Sequence, residues 1–161
     1  MRILGIDPGI GTCGFGLIET RSRANMRALD FGVITTTMNA ELPGRLKELY
    51  ESLVEVFETS KPDVVSVEKL FFSKNITTGI MVAEARGLVL LVAAQNEVPV
   101  FEYTPNEIKK ALTGYGAAGK PQMQEMVRVT LGLEKKPRPD DAADGLAAAI
   151  THSLMKGLDI N

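Results

Sequence analysis

The chain is poor in the features that staple or anchor small secreted and membrane proteins. A single cysteine, Cys13, excludes an intramolecular disulfide and points to a reducing compartment. No apolar stretch is read as approaching the ~20 residues needed to cross a bilayer. The first residues lack the charged-then-apolar pattern of a signal peptide. A cytoplasmic protein without a membrane partner is therefore expected. Repeats, low-complexity segments and an internal boundary are also missing. One domain over residues 1–161 is expected, long enough to bury a proper core. With 45% hydrophobic and 24% charged residues, the composition is that of an ordinary soluble globular protein. A net charge of −2 argues weakly against nucleic acid, but it averages over a surface on which a basic face can oppose an acidic pocket.

The remaining chain is organised around its N-terminal stretch. Ile3, Leu4 and Ile6 form an apolar run suited to a strand buried on both faces, and Asp7 ends it before Pro8 and Gly9 turn the chain. Gly11, Gly14 and Gly16 then lighten a return strand, so that another backbone or a phosphate can come close. A carboxylate so placed either caps its own turn or stands open to a ligand. Strands are read at 2–7, 13–20 and 27–37, followed by an apolar helical face from Pro43 to Ser60. A fourth strand, 63–67, leads to Glu68; a helix over 78–96 and a fifth strand over 99–103 follow. Thr104, Pro105 and Glu107 stand in capping-box order for a helix, and further helices are read at 121–131 and 140–155. Three strands followed by alternating helix and strand imply an α/β fold, a mixed sheet covered by helices.

Two strands thus end in carboxylates, Asp7 and Glu68, and ligands gather at the carboxyl ends of adjacent strands. Asp141 and Asp144 lie three apart, on one face of the last helix. Its other face, with Ala142, Ala143, Leu146, Ala147 and Ile150, is small and apolar, suited to close packing on the sheet. Four converging carboxylates repel one another unless cations intervene, and hard divalent ions, magnesium above all, fit oxygen donors. The plainer alternative is a pair of helix-start acids favoured by the dipole and two turn acids.

Cys13 reads as a small packed residue, having no charged or histidine neighbour to activate it. His152, the one histidine, lies about 16 Å past Asp141 at ~1.5 Å per helical residue, and is read as a helix-end residue rather than a ligand. Phe71 and Phe72, flanked by Lys69, Lys74 and Asn75, follow Glu68 directly. Aromatics beside lysines can stack on bases while the lysines meet phosphate, although core packing would also use a phenylalanine. Lys109, Lys110 and Lys120 surround a glycine- and alanine-rich loop and could meet a second stretch of backbone, or be solvated singly.

Together these motifs resemble a known family. Gly-Ile-Asp-Pro-Gly, Val-Glu-Lys-Leu-Phe-Phe-Ser-Lys-Asn, Ala-Arg-Gly at 85–87, Pro-Val-Phe-Glu-Tyr and Asp-Ala-Ala-Asp-Gly-Leu-Ala, in this order, resemble the RuvC family of bacterial Holliday junction resolvases over nearly the whole chain. The resemblance implies a ribonuclease H-like fold with a five-stranded mixed sheet, three strands antiparallel and the rest parallel. It implies a homodimer that binds a four-way DNA junction and makes paired, magnesium-dependent nicks in strands of like polarity. It further implies two Mg2+ ions per site, with Mn2+ as a substitute, held by the catalytic acids Asp7, Glu68, Asp141 and Asp144. The base-stacking phenylalanine falls on Phe71, with Phe72 beside it, and DNA-contacting lysines fall on Lys109 and Lys120. RuvA and RuvB are the implied partners. Asp140 adds an acid directly before the matched pair, but helix periodicity favours 141 and 144.

Two other readings compete. Asp7, Gly9 and Thr12 also fit the phosphate loop of actin- and sugar-kinase-type ATP-binding proteins, but that fold needs two lobes and has no use for the Asp-Ala-Ala-Asp helix start. A junction-binding module without catalysis gains nothing from clustered negative charge. A ribonuclease H-like nuclease with another substrate is set apart only by the Phe-Phe loop and the overall match.

Overall fold

The computed structural model describes residues 1–69 and 76–156. The order of elements is β1 (Arg2–Asp7), β2 (Thr12–Ser22), β3 (Asn25–Thr35), α1 (Leu42–Ser60), β4 (Val64–Glu68), α2 (Ile76–Gln95), β5 (Val100–Tyr103), α3 (Pro105–Thr113), α4 (Lys120–Leu131) and α5 (Asp140–Lys156). The strands form one sheet in the order β3-β2-β1-β4-β5. β1–β2 and β2–β3 pair antiparallel, β1–β4 and β4–β5 parallel: the mixed sheet that the strand pattern implied, with the pairing that the family resemblance implied. The third strand begins and ends about two residues earlier than its β-branched run suggested. Ser22 pairs with Asn25 at the hairpin end, and Thr36 leaves the sheet to donate its hydroxyl to the Ile10 carbonyl at 2.7 Å.

The helix boundaries have local causes. Pro43 sits in the first turn of α1, which ends where Lys61 enters the left-handed region and returns its N–H to the Phe57 carbonyl at 2.9 Å. The capping box of α3 is formed: the Glu107 N–H donates to Thr104 Oγ1 at 3.2 Å, and the Thr104 N–H donates to Glu107 Oε2 at 2.8 Å.

Strand alternation sorts the core into two layers. Leu4 and Ile6 of β1, Leu17 of β2, and Val65 and Val67 of β4 face one cluster, with Leu49, Leu53 and Phe57 of α1 and Val89 and Val92 of α2. Ile3, Ile18 and Val64 face the other, with Leu146 and Ile150 of α5, Ile108 of α3 and Val127 of α4. Helix α5 is buried almost all round from Ala142 to Ser153, more fully than a single apolar face required. It lies between the sheet and α3–α4, and its alanine run fits that crowded place.

One expectation is corrected. Helix α2 spans 20 residues and is long and apolar enough, by length and composition, to cross a membrane. Glu84 and Arg86 in its middle masked that continuity in the sequence. Arg86 is ion-paired with Glu102 of β5 at 2.6 Å, tying the helix to the sheet edge.

Candidate active site

Alternation decides which way the strand-end acids point. Asp7 shares the parity of Ile3 and Gly5, and Glu68 that of Val64 and Ser66, so both belong to the face covered by α5. In the parallel register Ile6 pairs with Val67, which sets Asp7 and Glu68 at adjacent strand ends. Ser66 confirms the face: its buried hydroxyl donates to the Ala148 carbonyl of α5 at 2.6 Å.

The glycines decide how near α5 comes. Gly14 is the cross-strand partner of Asp7, and a Cβ added to it would collide with the Asp141 carbonyl. At Gly16 it would meet Leu146 at 2.6 Å. Backbone therefore lies on backbone at the start of α5, and the close approach anticipated for these glycines is made by a helix. The consequence is chemical. Asp7, Asp141 and Asp144 each present a carboxylate oxygen, all within 4.8 Å of one another.

Such a cluster is electrostatically unhappy by itself. Burial, reinforced by Glu68, Asp144 and Asp141, pushes the Asp7 carboxyl up to about 7. Glu68 and Asp144 are likewise raised, first by burial; the charge of Asp144 adds to the effect on Glu68, while Lys120 opposes it at both. Glu68 is the carboxylate that acts most strongly on Asp7, yet it stands outside the tight triad. It lies across a cavity of about 410 Å³ lined also by Lys109, Gly119, Lys120 and Asp144. Lys120 Nζ is 3.6 Å from Asp144 and 4.0 Å from Asp140. Asp140 lies outside the triad and pairs with Arg138 at 2.8 Å.

The other sequence candidates separate clearly. Lys109 and Lys120 border the cavity, whereas Lys110 is exposed and does not. Phe71, Phe72, Lys74 and Asn75 lie outside the described residues. Cys13 is fully buried, its thiol pushed up to about 12 chiefly by burial, which suits a packed residue. His152 is buried too, hydrogen-bonded through Nδ1 to the Tyr103 hydroxyl at 2.9 Å, so it serves the interior rather than the site. One residue was missed. Arg45 of α1 reaches the β1–β2 turn and donates through Nε to Thr36 Oγ1 at 2.9 Å. In the sequence only the interruption of an apolar helical face by an arginine signalled it.

Known proteins share this fold. The Thermus thermophilus RuvC structure solved with a Holliday junction substrate is similar at a TM-score of 0.91 and 36% identity, over 97% of this chain and 94% of that one. A crossover junction endodeoxyribonuclease RuvC of Chloroflexus aggregans is 52% identical over 153 residues, 95% of this chain and 93% of that protein. The yeast mitochondrial Holliday junction resolvase Ydc2, at 14% identity and a TM-score of 0.64, shares the fold. The fold is thus ribonuclease H-like, and the relatives of high identity place the chain among nucleases. The family model described as crossover junction endodeoxyribonuclease RuvC matches residues 3–152, and the chain belongs to that family.

Proposed function

We propose that this protein resolves Holliday junctions by paired, symmetric nicks in strands of like polarity, in homologous recombination and DNA repair. The observation that carries this reading is the Asp7–Asp141–Asp144 cluster, three carboxylates within 4.8 Å of one another at the sheet end.

The donor set suits a hard divalent cation: oxygen ligands only, with the thiol of Cys13 and the imidazole of His152 elsewhere in the interior. Burial first, and then the charges of Glu68, Asp144 and Asp141, raise the Asp7 carboxyl, and a bound cation would offset both. Asp7, Glu68, Asp141 and Asp144 would hold two Mg2+ ions, with Mn2+ able to replace them. Bound there, the metal would polarise the attacking water and stabilise the departing 3′ oxygen. The reaction is in-line attack of water on a phosphodiester, breaking the bond to the 3′ oxygen. The protein contributes orientation: β1 and β4 hold two acids rigidly, and α5 brings the others onto them. Lys109 and Lys120 place positive charge beside the cavity, where a phosphate backbone would lie, and Lys110 extends it outward. Phe71 and Phe72, with Lys74 and Asn75, are assigned to the junction centre on sequence grounds.

Two symmetric cuts need two sites, hence a homodimer. Helix α2 supports this: Ile76, Ile80 and Leu91 are exposed on it, at 71%, 51% and 47%. RuvA and RuvB are the proposed partners, in the cytoplasm. The test is cleavage of a mobile four-way junction beside a linear duplex, with magnesium and with chelator, for wild type and Asp7→Asn. Paired, junction-selective, metal-dependent nicks that vanish in the variant while binding persists are expected. Indiscriminate cutting would remove the junction assignment, and binding without cutting in any divalent metal would remove the nuclease.

A further inference from the structure

We propose that Arg45 is a phosphate-binding residue that grips the DNA strand beside the acidic cluster, an inference that rests on the nuclease reading above. Arg45 lies in the first turns of α1, half-buried against the β1–β2 turn that follows Asp7. Its Nε donates to Thr36 Oγ1 at 2.9 Å. That hydroxyl already donates its proton to the Ile10 carbonyl at 2.7 Å, so it can only accept from Arg45. The Thr36 N–H is also engaged, donating to the Gly11 carbonyl at 3.3 Å. One edge of the guanidinium is thereby fixed and the other left to a ligand.

Among the described residues that other edge meets no acid within ion-pair distance. Arg27, Arg86, Arg128 and Arg138 each pair with a carboxylate, at 2.6–2.8 Å. No ion pair is found for Arg45 among the described residues. Glu48, three residues further along the helix, accepts the Thr37 N–H through Oε2 at 2.7 Å. A half-buried, oriented guanidinium without a counter-ion is suited to an anionic group arriving from outside, and its planar fork matches phosphate oxygens.

The position suits the substrate. Gly11 is exposed, and a Cβ built on it would lie in ordinary contact with Arg45 Nη2 at 3.4 Å, which places the guanidinium beside the β1–β2 turn. Gly11 is four residues from Asp7, at most roughly 14 Å along an extended chain. At about 3.4 Å per nucleotide along the axis, the phosphate gripped lies within about four nucleotides of the cleaved bond. Arg45 stands on α1 and the lysines on α3 and α4, so the strand is held from both sides of the acids.

The test is binding, measured in chelator so that no cleavage enters. A labelled four-way junction is titrated with wild type, Arg45→Gln and Arg45→Lys over a range of salt. Arg45→Gln should bind about tenfold more weakly at low salt, with the slope of log affinity against log salt reduced by about one. Arg45→Lys should restore the slope, because it keeps the charge. Junctions carrying single neutral methylphosphonates near the cut extend this: one position should weaken wild type and leave Arg45→Gln indifferent. Unchanged slope and interference profile in Arg45→Gln, even with a lowered melting temperature, would overturn the assignment and leave Arg45 a structural clip. A wild type with no preference for the junction would instead overturn the reading beneath it.

Discussion

The two ends of α5 are both polar, both packed on the same sheet, and opposite in what they do. At its start, Asp141 and Asp144 meet Asp7 with charge of one sign, and among the described residues Lys120 is the cation paired with them. At its far end the side chains of Thr151, His152 and Ser153 each have a hydrogen-bond partner. His152 Nδ1 meets the Tyr103 hydroxyl at 2.9 Å, Ser153 Oγ meets Thr20 Oγ1 at 3.0 Å, and Thr151 donates to the Ala147 carbonyl at 2.8 Å. Burial disfavours charge at both ends, pushing Asp7 up to about 7 and His152 down to about 4. The difference lies in completion. A satisfied polar cluster holds the helix down; an unsatisfied one waits for cations and substrate.

The largest expected effect breaks the comparison at its acidic end. Asp141→Asn should lower junction cleavage by about a thousandfold or more, an effect typical of losing electrostatic stabilisation at a reaction centre. In chelator the same variant should melt higher than wild type, because one of the repelling charges is gone. Asp140→Asn, one residue away, should stay within about threefold in activity, since Asp140 pairs with Arg138 instead of the triad. Steady-state cleavage and melting temperature read both. Equal losses at the two positions would show that the acids act as a diffuse field. Next in size is Gly14→Val, which puts a side chain where the Asp141 backbone lies. It should cost about 3 kcal/mol or more in chemical denaturation and remove activity together with stability. A well-folded, active Gly14→Val would mean that α5 has freedom to slide.

The same two ends were unequally legible in the sequence. The acidic end could be read because its signals are local: a carboxylate closing each of two apolar runs, and a pair three apart on a helix start. Even the glycines could be read as a place of close approach, though only the register of Gly14 opposite Asp7 shows that α5 fills it. The far end could not be read, because the partners of His152 and Ser153 lie on β5 and β2, many residues away. A lone histidine on a helix carries no mark of a tyrosine that the topology brings to it. Arg45 was overlooked for the same reason: its meaning comes from Thr36 and Gly11, which strand pairing delivers. Helix α2 was read over 78–96, but its membrane-like apolar length was not, because two charges, one of them neutralised by Glu102, break up its apolar run.

The third prediction sharpens the far end through pH. The charged or titratable groups facing His152 are Tyr103 of β5 and Lys156 of α5; burial comes first and Lys156 second in lowering it. An unfolded histidine titrates near 6.5, so between that value and about 4 the unfolded chain holds a proton the folded one does not. Stability from this group is therefore present above pH 6.5 and is lost as pH falls toward 4, by up to about 3 kcal/mol. Urea midpoints at pH 7 and 4.5 for wild type and His152→Gln measure it. The variant should be less stable at pH 7 and show a shallower decline. A decline as steep as that of wild type would place the acid sensitivity elsewhere.

The smallest expected effect separates the ends most cleanly. Tyr103→Phe removes one hydroxyl and leaves His152 Nδ1 without its partner, while the ring keeps its packing in the core. A lost buried hydrogen bond of this kind costs about 1 kcal/mol, more if the imidazole finds no water. Tyr103 is also the residue to which β4 hands its last contact, since the Lys69 N–H donates to the Tyr103 carbonyl at 2.8 Å. That bond is to the backbone and survives the substitution, so Glu68 at the end of β4 keeps its place. Stability should therefore fall by about 1 kcal/mol with cleavage unchanged per folded molecule, measured by denaturation and by turnover well below the melting temperature. If turnover fell with stability, the far end of α5 would be coupled to the acids along the helix. The satisfied cluster would then help to aim the unsatisfied one.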